Sequence, residues 1–132
     1  EHDFVYSIYP HGGDWRTGGT VREAYELNVP LCAVAGAAGG SDVLDAFSLV
    51  QADRDDVIID AIKGAEDGDG LILRVYEAEG ARGTATIHLA FPAASVTECN
   101  LMEDDEREIP MENGAFSFAI KPYEIKTFRI RR

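Results

Sequence analysis

Cysteine is scarce in this chain and follows no pattern. The two present, Cys32 and Cys99, sit in apolar surroundings without CxxC spacing. They favour buried free thiols in a cytoplasmic protein, while one Cys32–Cys99 bridge stays open. Positive charge is also short. Twelve Lys and Arg stand against 24 Asp and Glu, for a net charge of −12. That argues against nucleic acid, which needs clustered cations, and against an anionic membrane surface. The uncharged stretch Val29–Ser41 is too short and too Gly-rich to span a bilayer, and no signal peptide is visible. The three histidines, His2, His11 and His88, have no zinc-binding spacing. GxSxG is missing, and Gly36–Gly40 lacks both the Lys-Ser/Thr of a P-loop and the GxGxxG of a dinucleotide site. The chain opens Glu-His-Asp without Met, which suggests a piece cut from something longer.

What is present is a core. Hydrophobic residues make up 45% of 132 residues, which suits one domain over residues 1–132. Val57–Ala78 organises it: two aliphatic arms flank Glu66-Asp-Gly-Asp-Gly70, a turn by composition. The first arm is apolar on both faces, so it is expected in mid-sheet, covered on both sides. The second arm alternates, with Leu71, Leu73 and Val75 opposed to Arg74 and Tyr76.

Around this hairpin the chain reads as short strands. Asp3–Pro10 alternates around Phe4 and Ile8. Leu31–Ala35, Leu44–Ala52 (Phe47 and Leu49 inward), Thr84–Phe91, Ser95–Met102, a short return at Ile109–Met111, the run with Phe116, Phe118 and Ile120, and Glu124–Arg131 follow. Thr20-Val-Arg-Glu23 matches a capping box for one helix, about Val21–Leu27, ended before Pro30. The fold class is therefore all-β, an antiparallel β-sandwich of about eight strands with one short helix near the N-terminus. The expected core is Phe4, Ile8, Ile59, Leu71, Leu73, Val75, Ile87, Leu89, Phe116, Phe118 and Phe128.

The acidic runs Asp53–Asp56 and Glu103–Glu108 read as solvated turns rather than a glycosidase carboxylate pair. Glu66–Gly70 lacks the further oxygen ligands of a calcium loop. His11-Gly-Gly-Asp-Trp-Arg16 is the richest polar stretch, with an imidazole, a carboxylate, an indole and a guanidinium in six residues. Sugar sites use a flat aromatic face with planar hydrogen-bonding groups, so His11, Asp14, Trp15 and Arg16 are the candidate ligand-binding residues. The plain alternative has Trp15 anchoring the loop and Asp14 paired with Arg16 or capping the turn. Extended geometry would point Trp15 inward and Asp14 and Arg16 outward.

Tyr9-Pro-His-Gly-Gly-Asp-Trp15 with Ala24-Tyr-Glu-Leu-Asn-Val-Pro-Leu31 resembles the "YPHxGDW … A-x-x-LN-x-PL" stretch of glycoside hydrolase family 38 α-mannosidases. In order come Ile62–Gly68 with Leu73–Glu77 ("K-x-AED-G … R-x-YE"), Glu98–Glu103 ("E-x-NLLE") and Pro122–Thr127 ("PFEI-x-T"), over about four-fifths of the chain. The resemblance implies the C-terminal domain of a longer retaining α-mannosidase. Its zinc, nucleophile and acid/base would lie in a separate catalytic domain of the same polypeptide, the expected partner. No catalytic or metal residue is carried over to this chain, and no cofactor is expected in it. An α-mannoside touching the His11 loop is a possible second partner. An independent carbohydrate-binding module, or an immunoglobulin-like interaction domain, are the alternatives. Trp15 precedes both cysteines, which counts against the immunoglobulin order.

Overall fold

A computed structural model describes residues 2–34 and 46–132. The chain divides into two compact units, Glu1–Val43 and Leu44–Arg132.

The second unit is an antiparallel β-sandwich. Its strands are β1 (Val50–Ala52), β2 (Val57–Gly64), β3 (Leu71–Glu77), β4 (Gly83–Leu89), β5 (Ser95–Cys99), β6 (Asp105–Ile109), β7 (Met111–Glu112), β8 (Ala115–Ile120) and β9 (Ile125–Arg131). One sheet runs β1-β4-β8-β7 and the other β2-β3-β9-β5-β6. All pairings are antiparallel. The expected all-β sandwich is thus the observed one, with nine strands among the described residues against about eight.

The core lies between the sheets. Leu73, Val75, Phe128 and Ile130 face Ala85, Ile87, Phe116, Phe118 and Ile120. Phe128 meets Phe116 edge-on at 5.0 Å and Phe118 at 4.6 Å between ring centroids. Period-2 alternation put these residues on one face, and pairing strands buries that face. Ile59 and Leu71 pack against the cluster half-buried. The turns follow local chemistry. Asn113 and Gly114 both take positive φ, as a two-residue hairpin turn requires. Gly70 has φ 96°, and a Cβ there would lie 2.5 Å from the Ile130 carbonyl oxygen.

Several expectations fail here for identifiable reasons. β2 is an edge strand, half of its residues exposed, and not a covered central one. A bulge between Ile59 and Ala61 shifts the register, so Ile59 sits opposite Val75 and Ile62 opposite Leu73. The arm looked apolar on both faces because the bulge moves one apolar series from odd to even positions. β1 keeps only three residues, and Phe47 and Leu49 are exposed. Leu44 lies outside the described residues. Glu103–Glu108 is solvated from Asp104 to Glu108 but is not a loop: Glu103 is buried and β6 starts at Asp105. β9 is not simply charged outside, since Arg129 is buried.

In the first unit, α1 (Thr20–Asn28) is the expected helix, one residue longer at each end. The capping box does not form. Gly19, at φ 68°, is the N-cap, and Thr20 lies inside the helix. At the other end Val29 N–H donates to Tyr25 O at 2.8 Å, just before Pro30. Residues 3–10 carry no strand ladder, and Phe4 and Ile8 are 80% and 86% exposed. Alternation alone does not make a strand; it needs a neighbouring strand to satisfy its backbone groups. Leu31–Val34 is likewise no strand, and Ala35 and Gly36–Ser41 lie outside the described residues. Both cysteines are free, but only Cys99 is buried; Cys32 is exposed. No helix among the described residues is long and apolar enough to cross a membrane.

Candidate functional site

The His11–Arg16 loop is built on one carboxylate. Asp14 Oδ1 accepts the Thr17 N–H at 2.9 Å, the Arg16 N–H at 3.1 Å and the Thr17 hydroxyl at 3.1 Å. The loop continues as a turn, with Gly18 N–H donating to Asp14 O at 2.9 Å and Thr20 N–H to Trp15 O at 3.1 Å, and runs into α1. The bond from the Thr17 N–H holds the Asp14 carboxyl below the usual range, helped by the Thr17 hydroxyl, the Arg16 N–H and the Arg16 charge. Asp14 thus caps the turn, as the plain alternative had it.

His11 folds back on the same turn. Its Nδ1 lies 3.2 Å from the Gly12 carbonyl oxygen and its Nε2 3.4 Å from the Thr20 hydroxyl. The ring lies 5.4 Å from that of Tyr9, whose hydroxyl donates to Gly18 O at 3.1 Å. A Cβ at Gly18 would come within 2.3 Å of His11 Nδ1, so the ring would have to shift.

Trp15 does not point inward as expected, whereas Asp14 and Arg16 are exposed. Trp15 is 38% exposed, and the Arg16 guanidinium stacks 4.5 Å from its ring centroid. Arg16 Nη1 also lies 3.6 Å from Asp14 Oδ2. A turn replaces the extended backbone that the expectation assumed. The four candidate residues are therefore brought together, as an indole–guanidinium platform on a carboxylate-capped turn. Beside it, Ser7, Tyr9, Thr20, Glu23 and Leu27 line an open groove of about 360 Å³.

Sequence reasoning missed the buried ions of the sandwich. Glu77 is 1% exposed and accepts four backbone N–H groups, from Glu79 (2.8 Å), Gly80 (2.9 Å), Ala81 (2.9 Å) and Tyr123 (2.8 Å). Burial pushes its carboxyl up, but these donors prevail and hold it below the usual range. Glu98 behaves alike: burial pushes it up, while Lys126 and Arg107 hold it down. Glu103 pairs with Lys63 at 2.7 Å and accepts the Glu66 N–H at 2.9 Å, and both lower it. Arg129 lies under the same loops. It donates to both Asp67 carboxylate oxygens, at 2.7 and 2.9 Å, and to the Glu103 carbonyl at 2.8 Å. The available signal was a charge set in an apolar strand, as at Glu77 after Val75 and at Arg129 between Phe128 and Ile130.

These carboxylates are poor candidates for acid catalysis. A glycosidase acid needs a raised pKa, and each of the three is lowered. Among the described residues, no group of three or more His, Cys, Asp or Glu could hold a metal ion.

Residues 56–128 match the family described as the glycosyl hydrolases family 38 C-terminal beta sandwich domain. The chain is 32% identical to α-mannosidase G of Dictyostelium discoideum over 97% of its own length. It is 28% identical to α-mannosidase 2C1 of Mus musculus over 96%, and 28% identical to α-mannosidase 2C1 of Homo sapiens over 94%. It spans 12% of the length of each of these relatives.

Proposed function

This chain belongs to the family 38 glycosyl hydrolase C-terminal β-sandwich family, and from that membership we propose that it is the C-terminal accessory domain of a longer, retaining, zinc-dependent α-mannosidase. The observation that carries this reading is the state of its buried glutamates. Glu77, Glu98 and Glu103 stand in stretches that resemble the α-mannosidases, yet each is saturated by backbone N–H groups or by cations. They stabilise turns and strand ends instead of offering a proton. We assign the zinc to the catalytic domain of that longer polypeptide; the carboxylates among the described residues are not grouped to hold a metal ion. The partner is the catalytic domain of the same polypeptide, and the substrate of the whole enzyme is a terminal α-mannoside. Two unpaired cysteines support a reducing, cytoplasmic setting.

The loop at His11, Asp14, Trp15 and Arg16 is the part of this chain we assign to sugar. Trp15 supplies a partly open aromatic face and Arg16 a planar donor, while Asp14 and His11 fix the turn that carries them. The test is release of mannose from an aryl α-mannoside by the enzyme containing this chain, before and after chelation and with zinc restored. Activity that chelation abolishes and zinc restores is expected; an enzyme without α-mannosidase activity overturns the reading. Within an active enzyme, Trp15→Ala should raise KM more than it lowers kcat. Unchanged KM removes the loop from the sugar site.

A further inference from the structure

Two turns of the sandwich hold apolar side chains out in solvent, and each is clamped by a buried glutamate. The first is Asn100–Asp104. Asn100 Oδ1 accepts the N–H of Met102 at 2.8 Å and of Asp104 at 3.1 Å, and Asn100 O accepts the Glu103 N–H at 3.1 Å. Glu103 is held at φ 71°, a left-handed conformation that costs a non-glycine residue energy. Its side chain is tied down by Lys63 and by the Glu66 N–H. The outcome is that Leu101 is exposed and Met102 is 82% exposed.

The second turn is Lys121–Glu124. Tyr123 is left-handed at φ 57°, and its N–H is held by buried Glu77. Tyr123 and Ile125 are both exposed there. Of the three non-glycine residues with positive φ among the described residues, only Asn113 has the ordinary explanation of an Asn-Gly hairpin. Leu101, Met102 and Ile125 line one shallow groove of about 520 Å³ with Glu98, Lys126 and Thr127. Glu106 and Glu124 also border it.

We propose that this groove is the surface on which the sandwich docks against the rest of its own polypeptide, through an apolar face bordered by Lys or Arg. The inference rests on the reading above that the chain is one domain of a longer enzyme. Length identifies the occupant, because this chain spans only 12% of the relatives it matches, so most of such a polypeptide lies outside it. Charge agrees: at −12 overall, with Glu106 and Glu124 at the border, the groove repels a second copy of the same chain and attracts a basic rim. The strained, clamped turns keep the exposed side chains ordered before they dock, which lowers the entropy cost of association.

Hydroxyl-radical footprinting of the intact enzyme, read by mass spectrometry at Leu101, Met102 and Ile125, tests this. Docking predicts that all three label several-fold more slowly in the native enzyme than in the same enzyme unfolded in urea, and that dilution leaves the protection unchanged. Met102→Asp should raise labelling at Ile125. Native labelling of Met102 as fast as in urea overturns the proposal, and so does protection that vanishes on dilution, which would mean a second copy. Mannoside hydrolysis by the same sample separates the two readings. Active enzyme with Met102 unprotected refutes the docking alone; protected but inactive enzyme refutes the α-mannosidase reading alone.

Discussion

Glu77 Oε2 accepts the backbone N–H of Tyr123 at 2.8 Å, joining the end of β3 to the turn before β9 across 46 residues of sequence. Its other donors, Glu79, Gly80 and Ala81, belong to the turn after β3. One carboxylate thus organises two turns at the same end of the sandwich. Glu77→Gln places an amide NH₂ where only acceptors serve, so N–H groups buried with it lose partners. The expected cost is about 1–3 kcal/mol, read from urea melts of the chain. An unchanged midpoint would mean the turns hold without it.

The lowered carboxyls set the response to acid. Glu77 and Glu98 have folded-state values lowered from the ordinary range of a Glu carboxyl, Glu77 by backbone donors and Glu98 by Lys126 and Arg107. The stability they contribute is complete above the unfolded value and is lost as pH falls through the lower folded values. Urea midpoints should therefore be level from neutral pH down to about pH 5 and drop below about pH 4.3. Glu77→Gln should flatten that drop, since it removes one of the linked groups. An equal drop in the variant would remove Glu77 from the acid response.

Core packing gives a paired prediction. Leu73 is fully buried among Phe128 and its neighbours, and Leu73→Ala should cost about 2–5 kcal/mol. Ile8, 86% exposed, should tolerate Ala within about 0.5 kcal/mol. Equal losses at the two positions in denaturant melts would contradict the burial described here.

That pair marks how far the sequence could be read. β4 and β8 were legible because strict alternation coincides with real pairing: Ala85, Ile87, Phe116 and Phe118 all face the core. Phe4–Ile8 carries the same signal without a strand beside it, and alternation cannot report a missing partner. β2 was misplaced because the bulge after Ile59 is invisible in composition. The candidate loop was found from its residue types. Its geometry was not, since Asp14 capping Thr17 replaces the extended backbone with a turn. The buried Glu98, Glu103 and Arg129 escaped because their partners are far apart in sequence, and charge runs hide them among solvated acids; Glu77 escaped because its partners are backbone N–H groups, which no residue type marks.

The central claim is that this chain supports an α-mannosidase without performing the chemistry. Aryl α-mannoside hydrolysis by the purified 132-residue chain with added zinc tests it most directly. Hydrolysis no faster than the buffer blank is expected, beside an active enzyme that contains the chain. Zinc-dependent turnover by the chain alone would contradict the claim and place a catalytic site among these residues.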